Sequence, residues 1–416
     1  MTGSRRDVVI VGAGLAGLRC AAVLAAAGRD VEVWEQHDAV GGRIRTDAID
    51  GFLCDRGFQV LNPAYPELHR AVDIDSLDLR PFAAGVAVRR QSKSAVLVHP
   101  LREPGRVPKM LASGVIRPSD VAAVVRWALP ALRPGALKAL ADRDTTLTAA
   151  LDRAGVHHEL RRVIERFLAG VLLDDTGSTS NAFALLLVRM FVLGVPALPA
   201  AGMQALPQRM AEPLRGRIRT GRKATRIERN GAGWYVGGDG DGMRADDVVV
   251  ATDPLTAATL TDSSAPATHG VVTDWWSVDE LPSALPLLWV DARAAAPGPV
   301  LNTAVISAAA PSYAPPGRHL IAASALLESD GAPPSEDLVR SHAADILGVD
   351  SRTWKLLTRS VIRHALPAQP APLQVRRPVS VTEGLWCCGD HRDTASIQGA
   401  LVSGRRTAER ILAGRP

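Results

Sequence analysis

The N-terminal residues alternate between apolar runs and a glycine-rich turn in a regular order. Residues 7–11 are apolar after the first position, which is typical of a strand buried in a parallel sheet. Residues 12–17 form a Gly-rich turn that opens an Ala- and Leu-rich helix, and Gly28 is placed to end that helix. A second strand-like run, residues 31–34, ends at Glu35. The pattern predicts a strand, a turn, a helix and a second strand parallel to the first.

The turn of this unit has the glycine spacing of a dinucleotide site. Gly12 would make the tight turn, Gly14 would let the backbone approach a pyrophosphate, and Gly17 would let the helix pack on the strand. The N-terminus of the helix offers free N–H groups and a partial positive charge to that pyrophosphate. Glu35 is placed to accept hydrogen bonds from a ribose. Because the strand, the helix and the spaced acid are all present, a dinucleotide site explains this stretch better than a Gly-rich turn without a ligand does.

A similar pattern returns near the end of the chain. An apolar run, residues 385–388, leads into Gly389 and Asp390, and a helix with an apolar stripe is predicted after a polar turn. The stripe consists of Ile397, Ala400, Leu401, Ala408, Ile411 and Leu412. Taken alone, this stretch fits either the far end of an elongated cofactor site or an amphipathic terminal helix without a ligand.

Further motifs make the chain resemble the flavin-containing amine oxidase and phytoene desaturase superfamily. They are Gly41-Gly42-Arg43 with Thr46, residues 55–60 and residues 202–207, in the family's order between the two ends described above. The resemblance implies an FAD-dependent oxidoreductase in which the C-terminal turn holds the other end of the same FAD. The FAD would be non-covalent, since no cysteine lies in the expected segment before Trp386.

The resemblance also implies which residues contact FAD. Asp390 would contact the ribityl chain or the pyrophosphate, and Ala224 matches the residue whose backbone contacts the adenine. The N-terminus of the last helix would face the flavin ring, where it would stabilise the negative charge of the reduced flavin by about 0.3–2 kcal/mol. The implied contacts are Gly12, Gly14, Leu15, Ala16, Gly17, Glu35, Gln36, Gly41, Gly42, Arg43, Gly57, Phe58, Gln59, Ala224, Thr252, Gly389, Asp390, Ser396, Ile397, Gln398 and Ala400.

The implied fold is α/β, with a Rossmann-like FAD-binding domain (GR2-type, parallel sheet) and a discontinuous α+β substrate-binding domain. The FAD-binding domain would comprise residues 1–80, 206–269 and 366–416. The substrate-binding domain would comprise residues 81–205 and 270–365.

Apolar periodicity gives a coarse assignment inside this plan. Residues 218–227 are expected to form a strand, followed by a small meander that returns to the main sheet at residues 247–251. The first substrate segment should be largely helical, with helices over 161–173 and 182–193 that wall a cavity. The second should contain strands, which include residues 285–290 and 319–323.

Two features common in the family's amine oxidases are missing. Those enzymes often place a Lys near flavin N5 from a substrate-domain strand, whereas residues 285–290 contain none. They also use an aromatic cage, and this chain has 3 tyrosines. Candidate polar groups at the flavin ring are Arg56, Gln59, His391 and Arg392, with His391 as a possible proton donor near neutral pH. A structural role for His391, and for Asp55 as a buried acid, fits equally well.

Composition narrows the possible kinds of site and the expected location of the protein. Aromatic residues make up 4% of the chain, so an apolar pocket should be lined mainly by aliphatic side chains. Cys20, Cys54, Cys387 and Cys388 lack metal-ligand spacing and predict no metal site, as expected for a reduced, intracellular protein. The N-terminus lacks a secretory signal, and no apolar run reaches the roughly 18 residues of a membrane span. We therefore expect a cytoplasmic protein.

Residues 101–140 carry a surplus of positive charge. They contain seven basic residues, which include Lys109 and Lys138, against Glu103 and Asp120, and the surplus of five equals the formal net charge of the chain. Residues 121–132 are mostly apolar. Such a segment can dock on an anionic membrane surface, or it can be an ordinary amphipathic helix with its Arg residues in water. Nucleic acid is a poorer partner, because no aromatic-interleaved basic motif is present.

Three classes of function remain open. The leading hypothesis is an FAD-dependent dehydrogenase, desaturase or isomerase that acts on a lipophilic small molecule, with oxygen or a quinone as the candidate electron acceptors. The first alternative is an amine oxidase that forms an imine and hydrogen peroxide. The second is a non-catalytic flavoprotein. The sequence leaves the substrate, the electron acceptor and the oligomeric state open.

Overall fold

The computed structural model describes residues 5–133, 135 and 140–414. The strands are β1 (Arg5–Val11), β2 (Val31–Trp34), β3 (Thr46–Ile49), β4 (Phe52–Asp55), β5 (Leu79–Pro81), β6 (Gly85–Arg89), β7 (Ser94–Val98), β8 (Ala197–Pro199), β9 (Ile218–Arg219), β10 (Ala224–Asn230), β11 (Gly233–Gly238), β12 (Gly240–Val250), β13 (Thr268–Val278), β14 (Leu288–Asp291), β15 (Val300–Val305), β16 (His319–Leu326), β17 (Lys355–Pro367), β18 (Ser380–Thr382) and β19 (Leu385–Cys387). The helices are α1 (Leu15–Ala26), α2 (Leu68–Ala71), α3 (Val107–Ala112), α4 (Pro118–Ala128), α5 (Leu147–Ala154), α6 (His158–Leu172), α7 (Asn181–Leu193), α8 (Ala205–Ala211), α9 (Pro254–Thr261), α10 (Ile306–Ala309), α11 (Glu336–Leu347) and α12 (Ile397–Leu412).

A largely parallel sheet forms the cofactor half of the molecule. Its strands follow the order β10-β11-β12-β1-β2-β9, and β19 joins β12 in parallel. Strand β1 is parallel to both β2 and β12, and its Val9 and Ile10 are fully buried. Helix α12 packs directly on α1, because a Cβ added to Gly404 would overlap the carbonyl oxygen of Ala16. The two chain ends therefore form one layered α/β unit, as the fold class predicted.

A second sheet forms the other half, in the order β17-β13-β16-β15-β14-β6-β7. Trp276 and Ile321 of this sheet share a buried cluster with Val339 and Ala343 of α11. Val290 shares another with Leu160 and Val163 of α6. Helical layers thus cover this sheet on more than one side, in keeping with the α+β description.

Several predicted elements have the expected form. Helices α6 and α7 coincide with the predicted 161–173 and 182–193 helices to within a few residues. Helix α12 covers the predicted apolar stripe and ends two residues before Gly414, whose φ is +85°. The exact domain boundaries stay a prediction, although the first sheet takes its strands from residues 5–34, 218–250 and 380–387 and the second from residues 85–98 and 268–367.

Other expectations were wrong in detail. The predicted 218–227 strand is interrupted after Arg219 by a turn at Gly221, whose φ is +68°. The predicted 285–290 strand starts only at Leu288, after Pro286. Residues 81–205 are less helical than expected, because the β-branched runs of β6 and β7 form a hairpin.

The longest strands of the second sheet were missed. Strands β13 and β17 pair along most of their length, but the register shifts between His269 and Val271 and again between Trp275 and Trp276. The second shift leaves one extra residue on β17 and inverts the alternation of inward and outward side chains there, whereas β13 is buried on both faces over most of its length, so neither strand shows a clear period of two in the sequence. Within the described ranges, no helix is both long and apolar enough to cross a bilayer.

Candidate flavin and substrate site

A cavity of about 1010 Å³ runs from the first sheet to the second. At one end it borders the carboxyl ends of β1, β2 and β12, where ligands bind in open α/β sheets. At the other end it lies beneath the second sheet, between α4, α6 and α7. The walls predicted for a substrate cavity therefore continue directly from the predicted cofactor site.

The glycine turn forms the floor of the first end. Gly12 has φ +108°, and an added Cβ would lie 2.7 Å from the carbonyl oxygen of Ala251, so only glycine fits there. At Gly14 an added Cβ would meet nothing within 4 Å, because the backbone faces open space. Gly42 stands across that space, and its added Cβ would lie 3.4 Å from the Cα of Gly14. This open cradle of bare backbone at the start of α1 fits the pyrophosphate of FAD.

Glu35 is fixed at the end of β2 and lines the cavity. Its carboxylate accepts hydrogen bonds from the backbone N–H groups of Ala13 at 2.9 Å and His37 at 3.0 Å. A carboxylate offers about four acceptor sites, so capacity remains for ribose hydroxyl groups. This geometry is compatible with the ribose role predicted for Glu35.

Two cations that the sequence reasoning missed lie beside this end. Arg222 and Lys223 precede Ala224 and line the cavity with it. The Arg222 guanidinium lies 4.0 Å from the ring centre of Trp34. The sequence could have indicated both residues, because they directly precede Ala224, the predicted adenine contact. Their positive charge suits a site that binds a diphosphate.

An ion pair joins the two predicted halves of the cofactor site. Arg43 Nη2 lies 2.7 Å from Asp390 Oδ1, and its Nη1 donates to the carbonyl oxygen of Ala365 at 2.7 Å. Ser396 caps α12 by accepting the N–H of Gly399 at 3.0 Å, and the first turn of α12 borders the cavity. The second Gly-rich stretch thus borders the same cavity as the first.

The predicted FAD contacts divide into two groups. Those that line the cavity are Gly12, Gly14, Leu15, Ala16, Glu35, Gln36, Gly41, Gly42, Arg43, Gly57, Phe58, Gln59, Ala224, Thr252, Gly389, Asp390, Ser396, Ile397 and Ala400. The remaining contacts lie elsewhere. An added Cβ on Gly17 would overlap the carbonyl oxygen of Gly12, so this glycine serves close packing. Gln398 accepts the N–H of Glu67 at 3.0 Å.

The three candidate catalytic residues lie in different places. Gln59 lines the cavity and donates to the carbonyl oxygen of Arg43 at 3.1 Å. Arg56 pairs with Asp47 at 2.8 Å, and its side chain is 46% exposed. His391 lies with Arg392 in a separate pocket of about 180 Å³. Burial lowers the pKa of His391 to about 4, so the ring is neutral at pH 7 and is no charged proton donor.

Asp55 is a buried structural acid. Its carboxylate accepts hydrogen bonds from the Thr46 hydroxyl at 2.5 Å, the Met203 N–H at 3.0 Å and the Tyr313 hydroxyl at 3.1 Å. Burial raises its pKa to about 6 in spite of these donors. Asp55 therefore ties β4 to the 202–207 motif that the sequence singled out.

A row of polar side chains in the second sheet was also missed. Asn302 of β15 pairs in register with Ser324 of β16, and Ser324 pairs with Thr273 of β13. Asn302 and Ser324 line the cavity. The sequence could have indicated this row through Asn302, an amide side chain within the mainly apolar run of β15.

The family of the chain follows from sequence comparison. A sequence model for flavin-containing amine oxidoreductases matches residues 15–412. The chain belongs to this family, whose members are flavin-dependent oxidoreductases.

Individual relatives match more locally. The chain is 49% identical to putrescine oxidase of Kocuria rosea over 72 residues, which is 17% of this chain and 15% of that protein. It is 27% identical over 270 residues to AofH of Mycobacterium tuberculosis, which carries the name of a flavin-containing monoamine oxidase; the match covers 60% of this chain and 57% of AofH. It is 40% identical over 82 residues to a 4,4'-diapophytoene desaturase of Staphylococcus haemolyticus, covering 18% and 16% of the two chains. The chain thus matches less than two thirds of the length of each.

Structural comparison supports the same fold. The solved structure of putrescine oxidase bound to putrescine superposes with a TM-score of 0.69 at 22% identity, and 99% of each chain is covered. At this level of identity the likeness establishes the fold alone.

Replacing Gly14 by Leu should abolish FAD binding, because the side chain would fill the open cradle above α1. We expect purified Gly14→Leu protein to contain less than a tenth of the wild-type FAD, measured from the visible absorbance relative to protein. Ala26→Val adds bulk at an exposed position of the same helix and should keep full FAD content. Full occupancy in Gly14→Leu would place the pyrophosphate elsewhere.

The Asp55→Asn variant should reduce the dependence of stability on pH. Because burial raises the folded-state pKa to about 6, above the ordinary value near 3.9 for an unfolded chain, protonated Asp55 favours the folded state. That contribution is complete below about pH 4 and is lost as the pH rises through 6. We expect the wild-type melting temperature, relative to that of Asp55→Asn, to fall between pH 4 and 7. A constant difference would contradict the raised pKa.

Proposed function

We propose that the enzyme removes hydride equivalents from a lipophilic small molecule, in the manner of a desaturase. The observation that carries this proposal is the nature of the cavity walls supplied by α4, α6 and α7. The lining side chains from these helices include Val124, Trp127, Leu160, Val163, Ile164, Phe167, Val171, Leu187, Val188 and Phe191. Walls of this kind bind an extended apolar molecule because binding removes the surface of the molecule and the surface of the wall from water.

A cationic amine would lack a counter-ion in this part of the cavity. Among the described residues that line it, the carboxylates are Glu35, Asp253 and Asp390, and each follows a strand of the first sheet. An unpaired ammonium group transferred into apolar surroundings costs several kcal/mol or loses its proton. The charge distribution therefore favours a neutral, lipophilic substrate.

The chemistry can be divided between cofactor and chain. Bound FAD supplies the acceptor for the hydride equivalent. The apolar helices orient the substrate and exclude water, and the segment 57–59 borders both the cofactor cradle and the apolar part of the cavity. We propose oxygen or a quinone as the final electron acceptor.

Amine oxidation is the second candidate. It is favoured by the similarity to putrescine oxidase and by the rings of Phe58 and Tyr65 in the cavity lining, since aromatic faces attract cations. A non-catalytic flavoprotein, the third candidate, would have no use for an apolar cavity continuous with the cofactor site.

The test is anaerobic mixing of the FAD-loaded enzyme with two panels of compounds, one of amines and one of polyenes and prenyl lipids. Loss of the visible absorbance of oxidised flavin with a member of the second panel is the expected result. Loss with amines alone would overturn the proposal in favour of amine oxidation. Loss with neither panel, in protein with full FAD content, would favour the non-catalytic alternative.

A charge in the apolar wall should separate the two enzymatic candidates. Val188 of α7 is partly buried and lines the cavity. We expect Val188→Asp to weaken binding of a lipophilic ligand at least 10-fold, because the carboxylate must be desolvated when the ligand binds. Val188→Ala keeps the wall apolar and should change binding less than 3-fold. Tighter binding of a diamine by Val188→Asp, with lipid binding unchanged, would contradict the proposal.

We also propose that a lipid surface delivers the substrate through the face around α4. Val121, Val125 and Leu129 follow one another at helical spacing and are 47%, 49% and 50% exposed. Val124 and Trp127, on another face of α4, line the cavity. In the preceding part of the same basic segment, Leu101 is 87% and Leu111 56% exposed. Arg102, Arg106, Lys109 and Arg117 lie in the same segment, whereas Lys138 lies outside the described residues. An exposed apolar face with basic flanks is typical of a helix that binds anionic lipid.

Sedimentation with vesicles tests this surface. We expect the wild-type enzyme to sediment with phosphatidylglycerol vesicles at low salt and to be released by raised salt or by the double variant Val125→Glu/Leu129→Glu. Leu281→Glu is the matched control: it alters a leucine of similar exposure, 43%, that lies in a loop elsewhere in the chain, and this variant should sediment like the wild type. Equal sedimentation of all three proteins would mean that this face does not contact the membrane.

A further inference from the structure

The polar row of the second sheet has one member without an internal partner. Thr273 and Ser324 bond to each other, with their hydroxyl oxygens 2.9 Å apart, and the backbone N–H of Phe58 donates to Thr273 at 3.3 Å. Asn302 completes the row in register with Ser324. Its side-chain amide forms no hydrogen bond with any other described residue, although the residue is only 4% exposed.

The surroundings of Asn302 indicate that a hydrogen-bonding partner for its side-chain amide would come from the cavity. Asn302 lines the cavity, and its amide nitrogen lies against Gly170 of α6, where an added Cβ would overlap it. Asn302 is thus a largely buried residue whose amide atoms face the cavity. Native proteins rarely retain such a group unless a ligand or an ordered water satisfies it.

The position of the row indicates where that partner would lie. The row is tied through Thr273 to Phe58, and residues 57–59 border the cofactor cradle. Val163 and Phe167 of α6 extend the apolar wall near Gly170. A ligand group bound by Asn302 would therefore sit between the cofactor side and the apolar walls.

We propose that Asn302 binds a carbonyl or hydroxyl oxygen of the substrate, so that the substrate is a lipophilic compound with an oxygen function and not a pure hydrocarbon. This inference rests on the proposed function and names the substrate class for the same site. An amide both donates and accepts, so it can pair with a ketone, an aldehyde or an alcohol. An oxygen held there also fixes how far an otherwise featureless apolar chain enters the cavity.

The experiment compares ligands that differ only in the oxygen function. Farnesene, farnesol and farnesal share one isoprenoid skeleton, and their dissociation constants for the FAD-loaded enzyme follow from perturbation of the flavin absorbance spectrum. One net hydrogen bond corresponds to roughly 3- to 10-fold in affinity. We expect farnesol and farnesal to bind more tightly than farnesene by that factor. Equal affinities for all three would overturn the proposal and indicate that water satisfies Asn302.

Variants then assign the preference to Asn302. In Asn302→Leu, the advantage of the oxygenated ligands should disappear while farnesene binds as before. Thr303→Val removes a hydroxyl from the next residue, whose side chain bonds the carbonyl oxygen of Ala322 at 2.8 Å, and should leave the preference unchanged. A preference that persists in Asn302→Leu, or a loss of FAD from that variant, would overturn the proposal, the latter because it would show that the amide serves the cofactor.

The outcomes keep this inference separate from the proposed function. Tight binding of all three isoprenoids without discrimination contradicts the role of Asn302 but leaves a lipophilic substrate in place. Failure of every isoprenoid to bind, with diamines bound instead, contradicts both.

Discussion

The ion pair between Arg43 and Asp390 joins parts of the chain that are 347 residues apart in sequence. The same Arg43 donates to the carbonyl oxygen of Ala365 in β17, so one side chain connects the glycine cradle, the C-terminal turn and the second sheet. A partly buried pair of this kind contributes little net stability, because desolvation offsets its Coulomb attraction. Its consequence is geometric, since removal of either partner would leave a charge at the point where the halves of the site meet.

Around that point the molecule changes from polar to apolar. Toward the first sheet, the cavity offers bare backbone, the start of α1 and the cations Arg222 and Lys223, all suited to the diphosphate of FAD. Toward the second sheet, it offers aliphatic and aromatic walls with Asn302 among them. One continuous cavity thus has a polar end and an apolar end, and α4 separates the apolar end from an exposed apolar surface.

Much of the cofactor side could be predicted from sequence because its features are local. The spacing of Gly12, Gly14 and Gly17 is readable within six residues, although the atom that excludes a side chain at Gly12 is the distant carbonyl oxygen of Ala251, and the apolar stripe of α12 marks its packing face. His391 could not be placed in this way. It directly follows Asp390, yet Gly389 adopts φ +154° and the ring enters a separate pocket, a result of backbone direction that no spacing reveals.

The substrate side was harder to predict because its determinants are non-local. The irregular register between β13 and β17 obscures the strand period in the sequence. Asn302 becomes conspicuous only when its pairing with Ser324 of β16 is known. The helices α6 and α7 were an exception, since the amphipathic period of α6 and the long apolar run of α7 are visible in the sequence without knowledge of their partners. The apolar character of the cavity could thus be anticipated, whereas the unpaired amide of Asn302 could not.

The most direct measurement is the mass of the product after a single anaerobic turnover of the FAD-loaded enzyme with an oxygenated isoprenoid. The account predicts that the intact carbon skeleton loses two hydrogen atoms for each flavin reduced. Turnover confined to amines, with a carbonyl compound and free ammonia or a shorter amine as products, would contradict it.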